Sequence, residues 1–363
     1  MRIGILTYHK SHNYGALLQA VALRYYLINC GYEVYFIDYW PKYHGDMYKR
    51  FDYYLINDLR VVSKIKYLIK RFLNIRNINK RINSFNGFIA KYITPYCLPE
   101  SEYFDYVVYG SDQIWRRQER LNSKYNPVYF GEHSIKTKNH VSYAASMGII
   151  DANDSDKIQI KKWLNKFKGI SVRETSLKEF LTKAGINNIE LVIDPTLLLD
   201  SEKWKKLLNV SKSEEKYVLF YDLMEGSFNI DNIRRFAQER GLKLITLKAR
   251  IDKFHMDNNE RAFEDPAGML ALFANAEFIF TSSYHGLVFS LIFHKEFYAS
   301  FKENAERAHS LLNNLELSGR LIKKGEELKG YIPLDYLSID NKISFLRRRS
   351  IKFIDDIITP LNY

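Results

Sequence analysis

Cysteine is nearly absent: Cys30 and Cys97 are the only two in 363 residues. They share no metal-type spacing and make no disulfide framework, so a reducing compartment is the simpler expectation. No apolar run approaches the ~18 residues that a membrane-spanning helix needs. The opening stretch "MRIGILTYHK" has too short an apolar core for a signal peptide and reads as a first strand. A soluble, cytoplasmic chain is therefore expected. The dinucleotide fingerprint GxGxxG is missing, as are internal repeats and low-complexity segments. Acidic residues are few beside basic ones, 42 against 54, for a formal net charge of +12. That excess favours an anionic partner: nucleic acid, an anionic lipid surface or a phosphorylated substrate.

The charge is unevenly spread. From Arg60 to Arg81, "RVVSKIKYLIKRFLNIRNINKR" contains no Asp or Glu. Ile65, Leu68, Ile69 and Phe72 recur in it at helical spacing, with Lys64, Lys66, Lys70 and Arg71 between them. Such a helix either lies on an anionic membrane or packs its apolar face on the protein and leaves its charges in water. The run lacks a recognised nucleic-acid module, so nucleic acid is not an expected partner.

What the chain does have is a β/α alternation, met twice. "RIGILTY" reads as a buried strand, "SHNYGALLQAVALRYYLINCG" as a helix with Asn13 at its N-cap, and "YEVYFIDY" as the next strand. Strand, helix, strand implies a parallel sheet. A helical insertion is expected at about 46–92, and strands return at "FDYVVYGS", "NHVSYAAS", "GISVRE" and "IELVIDP". A second alternation starts at "KYVLFYDL" and runs through "LKLITL", "EFIFTSS" and "EFYAS". The expected fold is α/β with two Rossmann-like domains facing a cleft, as in GT-B glycosyltransferases. Residues 1–195 would form the N-terminal domain, 196–340 the C-terminal domain and 341–363 a closing helix. In open α/β sheets ligands sit outside the carboxyl ends of the strands, which is where functional side chains should gather.

Several short motifs fall at such ends. Asn13 and Gly15 introduce a helix whose N-terminus can bind a phosphate or a carboxylate. His9 and His12 are spaced H-x-x-H but have no evident third ligand, so no metal site is expected. "YVVYGSDQIW" puts Asp112 at a strand end, as a general base for a sugar hydroxyl or as a turn carboxylate. "SYAASMG" ends a strand with small residues, Ser146 among them, which allow a close backbone approach. Arg173 in "ISVRET" must find an anion, either in a ligand or in an internal pair with Glu174. "TSSYHGLVFS" offers Ser282 or Ser283 as a helix cap, with His285 and Gly286 in the first turn. A histidine there either donates to a phosphate oxygen and protonates a leaving group or is a satisfied structural residue.

Taken in order, "ILTYHKSHNYGALLQAVAL", "VVYGSDQIW", "YAASMG", "ISVRE", "VIDPTLLL" and "ANAEFIFTSSYHGLVFSLIF" resemble the polysaccharide pyruvyl transferase family. "ERAHSLLNNLELSGR" is similar to that family's closing segment. The resemblance implies a GT-B-like fold and transfer of pyruvate from phosphoenolpyruvate, as donor substrate, onto a sugar as a ketal. The acceptor would be a nucleotide- or lipid-linked glycan precursor, and no cofactor or metal is implied. The family's basic and histidine positions map onto Arg173 and His285. Members with a GNxGD-type loop carry an acidic residue where this chain has Ala16, which makes Asp112 the leading base candidate.

On this assignment Ser282, Ser283 and the helix start at His285 and Gly286 hold the phosphate. His285 would protonate it, Arg173 would clamp the donor, and Arg307 would take the carboxylate. Asn13, Gly15 and Ser146 would face the substrates from the N-terminal side. Alanine at 173 or 285 would then abolish phosphate release in a protein that stays folded. The alternatives are a GT-B glycosyltransferase using a nucleotide sugar and a non-catalytic glycan-binding protein. The latter rests only on an aromatic content of 15%, 27 of these residues being tyrosine.

Overall fold

A computed structural model describes residues 1–122, 124–223, 226–249, 251, 257–301, 305–323, 326 and 332–358. In chain order the strands are β1 (Arg2–Leu6), β2 (Glu33–Ile37), β3 (Cys97–Leu98), β4 (Tyr103–Gly110), β5 (Lys136–Ala145), β6 (Phe167–Val172), β7 (Ile189–Leu191), β8 (Tyr217–Asp222), β9 (Lys243–Lys248), β10 (Glu260–Arg261), β11 (Phe278–Thr281) and β12 (Glu296–Ala299). The helices are α1 (Tyr14–Asn29), α2 (Lys42–Met47), α3 (Tyr53–Asp58), α4 (Val61–Leu73), α5 (Ile75–Tyr92), α6 (Asp154–Leu164), α7 (Thr175–Lys183), α8 (Ser201–Leu208), α9 (Ile230–Gln238), α10 (Pro266–Asn275), α11 (Tyr284–Ile292), α12 (Glu306–Asn314) and α13 (Tyr336–Ile357).

All strand pairings are parallel. One sheet has the order β3-β2-β1-β4-β5-β6-β7 and the other β10-β9-β8-β11-β12. Each therefore has a switch point where the strand order reverses: between β1 and β4 in the first sheet, between β8 and β11 in the second. The helices that follow β1 and β11 are apolar nearly all round, which requires burial on every side. α1 accordingly buries Leu17, Leu18, Ala20, Val21 and Leu23, and α11 buries every residue from Gly286 to Ile292. Large side chains such as Phe104, Tyr109, Trp115 and Phe130 fill the first core; Phe220, Phe236, Phe278 and Phe280 fill the second. Each large apolar side chain removed from water contributes about 1.5–3 kcal/mol before chain entropy is charged against it.

The chain divides into two compact units. The first comprises Met1–Tyr48, Ile89–Leu199 and the chain from Ile343 onward; the second comprises Lys49–Phe88 and Asp200–Lys342. This differs from the expected partition in two places. Most of the insertion expected at 46–92 belongs with the second sheet. Arg81 of α5 donates to the carbonyls of Lys248 (3.3 Å) and Ala262 (2.7 Å), and the Lys80 ammonium sits 5.4 Å over the Phe263 ring. The closing segment, expected at 341–363, returns to the first unit. There Ser350 Oγ accepts from the Ile193 amide (3.0 Å), and Arg347 donates to the Leu197 carbonyl (2.8 Å). Gly169 in β6 leaves room for Ile357, whose methyl a Cβ would meet at 2.8 Å. Residues 359–363 of that segment lie outside the described residues.

The basic helix α4 has no buried residue. Val61, Val62, Ile69, Phe72 and Leu73 are all more than half exposed. Among the described residues nothing covers its apolar face. Arg71 anchors the helix through the carbonyls of Lys49 (2.8 Å) and Arg50 (2.6 Å).

Candidate functional site

At the switch point of the first sheet, the ends of β1, β4, β5 and β6 bring together residues far apart in sequence. Asn13 caps α1 by accepting from the Ala16 amide at 3.2 Å, and Gly15 is buried in its first turn. Gln19, on the next turn, ties the strand ends together: its amide group donates to Thr7 Oγ1 (3.0 Å) and accepts from the Ser111 amide (3.0 Å). Gly110, before it, leaves no space for a side chain, because a Cβ would meet the Tyr143 carbonyl oxygen at 1.9 Å.

Arg173 sits at the centre of this group with its side chain 1% exposed. Its guanidinium pairs with Asp194 (2.6 Å), Glu174 (3.6 Å) and Asp112 (3.9 Å). Asp194 also accepts from the amide and hydroxyl of Thr196, at 3.0 and 2.7 Å, which explains the "DPT" turn. Glu174 accepts from the Ser146 hydroxyl. Arg173, Asp112 and Ser146 thus belong to one ionic network, in which Arg173 also makes the internal pair with Glu174. Asp112 occupies a turn at φ +27°, where its carboxylate also accepts from the Gln113 amide at 2.7 Å. Asp194 and Gln19 were not singled out in the sequence, whereas Glu174 was. The only hint was that a buried arginine must be paired.

At the switch point of the second sheet the segment Thr281–Gly286 leaves β11 and enters α11. Ser283 is the N-cap, its Oγ accepting from the Gly286 amide at 3.3 Å. Ser282 turns the other way, donating to Asp222 at the end of β8 (2.7 Å) and accepting from the Leu223 amide (2.8 Å). Gly286 is a packing requirement: a Cβ there would sit 2.1 Å from Thr281 Oγ1. Half-buried His285 lies in the first helical turn, its ring edge-on to Tyr284 at 5.3 Å. The Arg307 guanidinium sits 5.1 Å over the Tyr284 ring, so α12 places a cation beside the start of α11. The positive end of the α11 dipole, an imidazole in its first turn and a guanidinium over Tyr284 all lie at this helix start, groups of a kind that suit an anion.

A cavity of about 710 Å³ in the second unit, not foreseen from the sequence, is lined by Phe220, Asp222, Phe228, Arg234, Lys248 and Glu260 among others. It shares Asp222 with the Ser282 turn but not His285 or Arg307.

Two all-parallel sheets, each with polar side chains gathered at its switch point, make this an α/β protein of two Rossmann-like units. The model of the polysaccharide pyruvyl transferase family matches residues 13–300, and the chain belongs to that family. No curated protein matches the chain. Among solved structures it is similar to UDP-GlcNAc 2-epimerase from Methanocaldococcus jannaschii, at 12% identity and a TM-score of 0.43, over 100% of this chain and 94% of the other. It is also similar to a glycosyltransferase from Rickettsia africae (11%, TM-score 0.45, 99% of each chain). A third is the glycosyltransferase SnogD from Streptomyces nogalater (11%, TM-score 0.41, 97% of this chain and 95% of that one).

Proposed function

We propose that this transferase moves pyruvate from phosphoenolpyruvate onto two hydroxyls of a sugar in a nucleotide- or lipid-linked glycan precursor. The observation that carries the reading is the start of α11, where a Ser283-capped helix opens at a switch-point strand end with His285 in its first turn and Arg307 over the neighbouring Tyr284 ring. Phosphoenolpyruvate bears a phosphate and a carboxylate, and that cluster offers a dipole end and a guanidinium for them.

In the reaction C3 gains a proton and becomes a methyl group, and C2 takes on oxocarbenium character. One sugar hydroxyl bonds to C2, the C2–O bond to phosphate breaks, and a second hydroxyl bonds to the same carbon. Of the two hydroxyl protons, one balances the proton gained at C3 and the other leaves with phosphate. His285 serves as the acid at the phosphate, and Asp112 as the base for an acceptor hydroxyl. Arg173 positions Asp112, a role that fits its burial among carboxylates better than a direct clamp on the donor. Ser282 and Ser283 shape the phosphate site by fixing the turn, since their hydroxyls already serve Asp222 and Gly286.

A second reading, a nucleotide-sugar glycosyltransferase, is favoured by the cavity in the second unit. Its volume falls within the range typical of small-molecule sites, and it combines aromatic rings with Arg234 and Lys248. One assay separates the two. The protein is incubated with phosphoenolpyruvate and candidate acceptors while inorganic phosphate and acceptor mass are followed. Pyruvyl transfer raises both without any nucleotide sugar, and His285→Gln abolishes both. Near-normal turnover in His285→Gln would remove the acid role. Transfer that requires a nucleotide sugar would remove the pyruvyl reading.

The exposed apolar and basic faces of α4 support peripheral contact with an anionic membrane, which suits a lipid-linked acceptor.

A further inference from the structure

The sequence left His9 without metal-ligand partners, and the fold supplies two. His9 follows β1, Asp38 follows β2 and Cys97 opens β3, three adjacent parallel strands. Register explains why their side chains meet. Phe36 is paired with Cys97, so both point to the same face, and Asp38 lies two residues beyond Phe36 on that face. The His9 ring stacks on Phe36 with centroids 5.4 Å apart and planes 10° from parallel. One ligand atom each from His9, Asp38 and Cys97 falls within 4.8 Å of the others. His12, the other member of the H-x-x-H spacing, lies instead against Tyr48.

The state of His9 is informative. Its Nδ1 lies 2.9 Å from the Thr7 carbonyl, which can only accept, so Nδ1 carries the proton. Nε2 is then a lone-pair acceptor. It is buried, in a residue 0% exposed, and has no hydrogen-bond partner among the described residues. A buried nitrogen acceptor of this kind is costly unless something coordinates it. A carbonyl that fixes the tautomer from behind is the usual support of a metal-ligating histidine. A bound cation would draw the proton from the Cys97 thiol.

We infer that His9, Asp38 and Cys97 form a site for a divalent transition-metal ion, with zinc the fitting choice. Imidazole, carboxylate and thiolate are all zinc ligands, and three protein ligands leave a fourth tetrahedral position for water or a substrate oxygen. His9 closes the floor while exposed Asp38 and half-buried Cys97 give entry from solvent. The charged groups around the site are Lys10, which pairs with Asp38, Glu100, which faces Asp38, and Arg24, which acts on Cys97. The metal would take over the role of Lys10 at Asp38, and the Cys97 thiol would give up its bond to the Ile93 carbonyl (3.5 Å). The inference stands apart from the reading of the His285 cluster and does not depend on it.

Cobalt titration of the full chain after dialysis against a chelator provides the test. One equivalent should bind saturably with a thiolate-to-cobalt charge-transfer band in the near ultraviolet, and zinc should erase the band. Cys30→Ser should keep the band and Cys97→Ser should lose it. His9→Gln and Asp38→Asn should each weaken binding by at least about tenfold. Circular dichroism checks that each variant is folded, and surface-lying Asp38→Asn serves if substitution of a buried ligand disrupts the fold. Absence of a saturable band in the parent chain overturns the proposal. So does a band that survives in Cys97→Ser, or cobalt affinity unchanged in a folded Asp38→Asn.

Discussion

Replacing Arg173 by methionine tests whether the arginine organises the first unit or grips a ligand. Methionine keeps an unbranched apolar stem but removes the guanidinium and its charge. It leaves Asp194 and Glu174, whose side chains are 0% and 1% exposed, without their shared cation. Stranding a buried charge by deleting its partner costs about 3–5 kcal/mol. With a urea m-value of about 2 kcal/mol per molar, the midpoint should fall by about 1.5–2.5 M. Tryptophan fluorescence reports mainly on the first unit, which holds Trp40, Trp115 and Trp163, against Trp204 alone in the second. Adding Asp194→Asn to Arg173→Met should recover part of the loss, with a coupling of about 1–3 kcal/mol between the two sites. Phosphate release would fall because the strand ends lose their order, in contrast to the folded but inactive variant that a donor clamp predicts. A midpoint within about 0.5 M of the parent, together with lost turnover, would refute the positioning role.

Two further outcomes follow from other parts of the molecule. Tyr109 Oη lies 2.5 Å from His133 Nε2 and 2.7 Å from His140 Nδ1, and burial lowers both imidazoles from 6.5 to about 4. Above pH 6.5 both states are neutral. Between 6.5 and 4 the unfolded chain takes up protons that the folded one declines, so stability falls by up to about 1.4 kcal/mol per pH unit for each histidine and levels off below. Urea midpoints measured across that window should show this slope, and His133→Gln/His140→Gln should lessen it, buried His9 and His44 keeping their own share; an unchanged slope in the double variant would sink the account. On α4, Ile69→Ser and Phe72→Ser should leave the urea midpoint nearly unchanged, since both side chains are exposed. Each should weaken co-sedimentation with anionic vesicles about tenfold or more, given the area each ring or chain would bury in lipid. Equal sedimentation of parent and variants, or equal binding to neutral vesicles, would rule out that surface.

Much of the fold was legible in the chain before any coordinates. "RIGIL", "YEVYFI" and "FIFT" are apolar runs too short for helices, set between helices with their own caps at Asn13 and Ser283, and that local chemistry specifies β/α alternation. The turn "TSSYHG" was readable for the same reason, because a cap and the turn it closes lie within six residues. Partners across strands were not readable. Arg173 demanded an anion and its neighbour Glu174 was in view, yet only the sheet order β4-β5-β6-β7 decided that Asp194 and Asp112 would join it. Gly286 was legible as part of the helix start, but that a Cβ there would meet Thr281 Oγ1 at 2.1 Å is visible only in the fold. His9 and Asp38 follow separate strands and Cys97 opens a third, and their meeting depends on the register of that two-residue strand. The unit to which α4 and α5 belong was likewise settled by Arg81 reaching distant carbonyls. Local propensities act over a turn or two of chain, whereas sites assembled at parallel strand ends require crossover connections. Sequence alone therefore determined the elements and their caps, and tertiary structure chose which side chains meet.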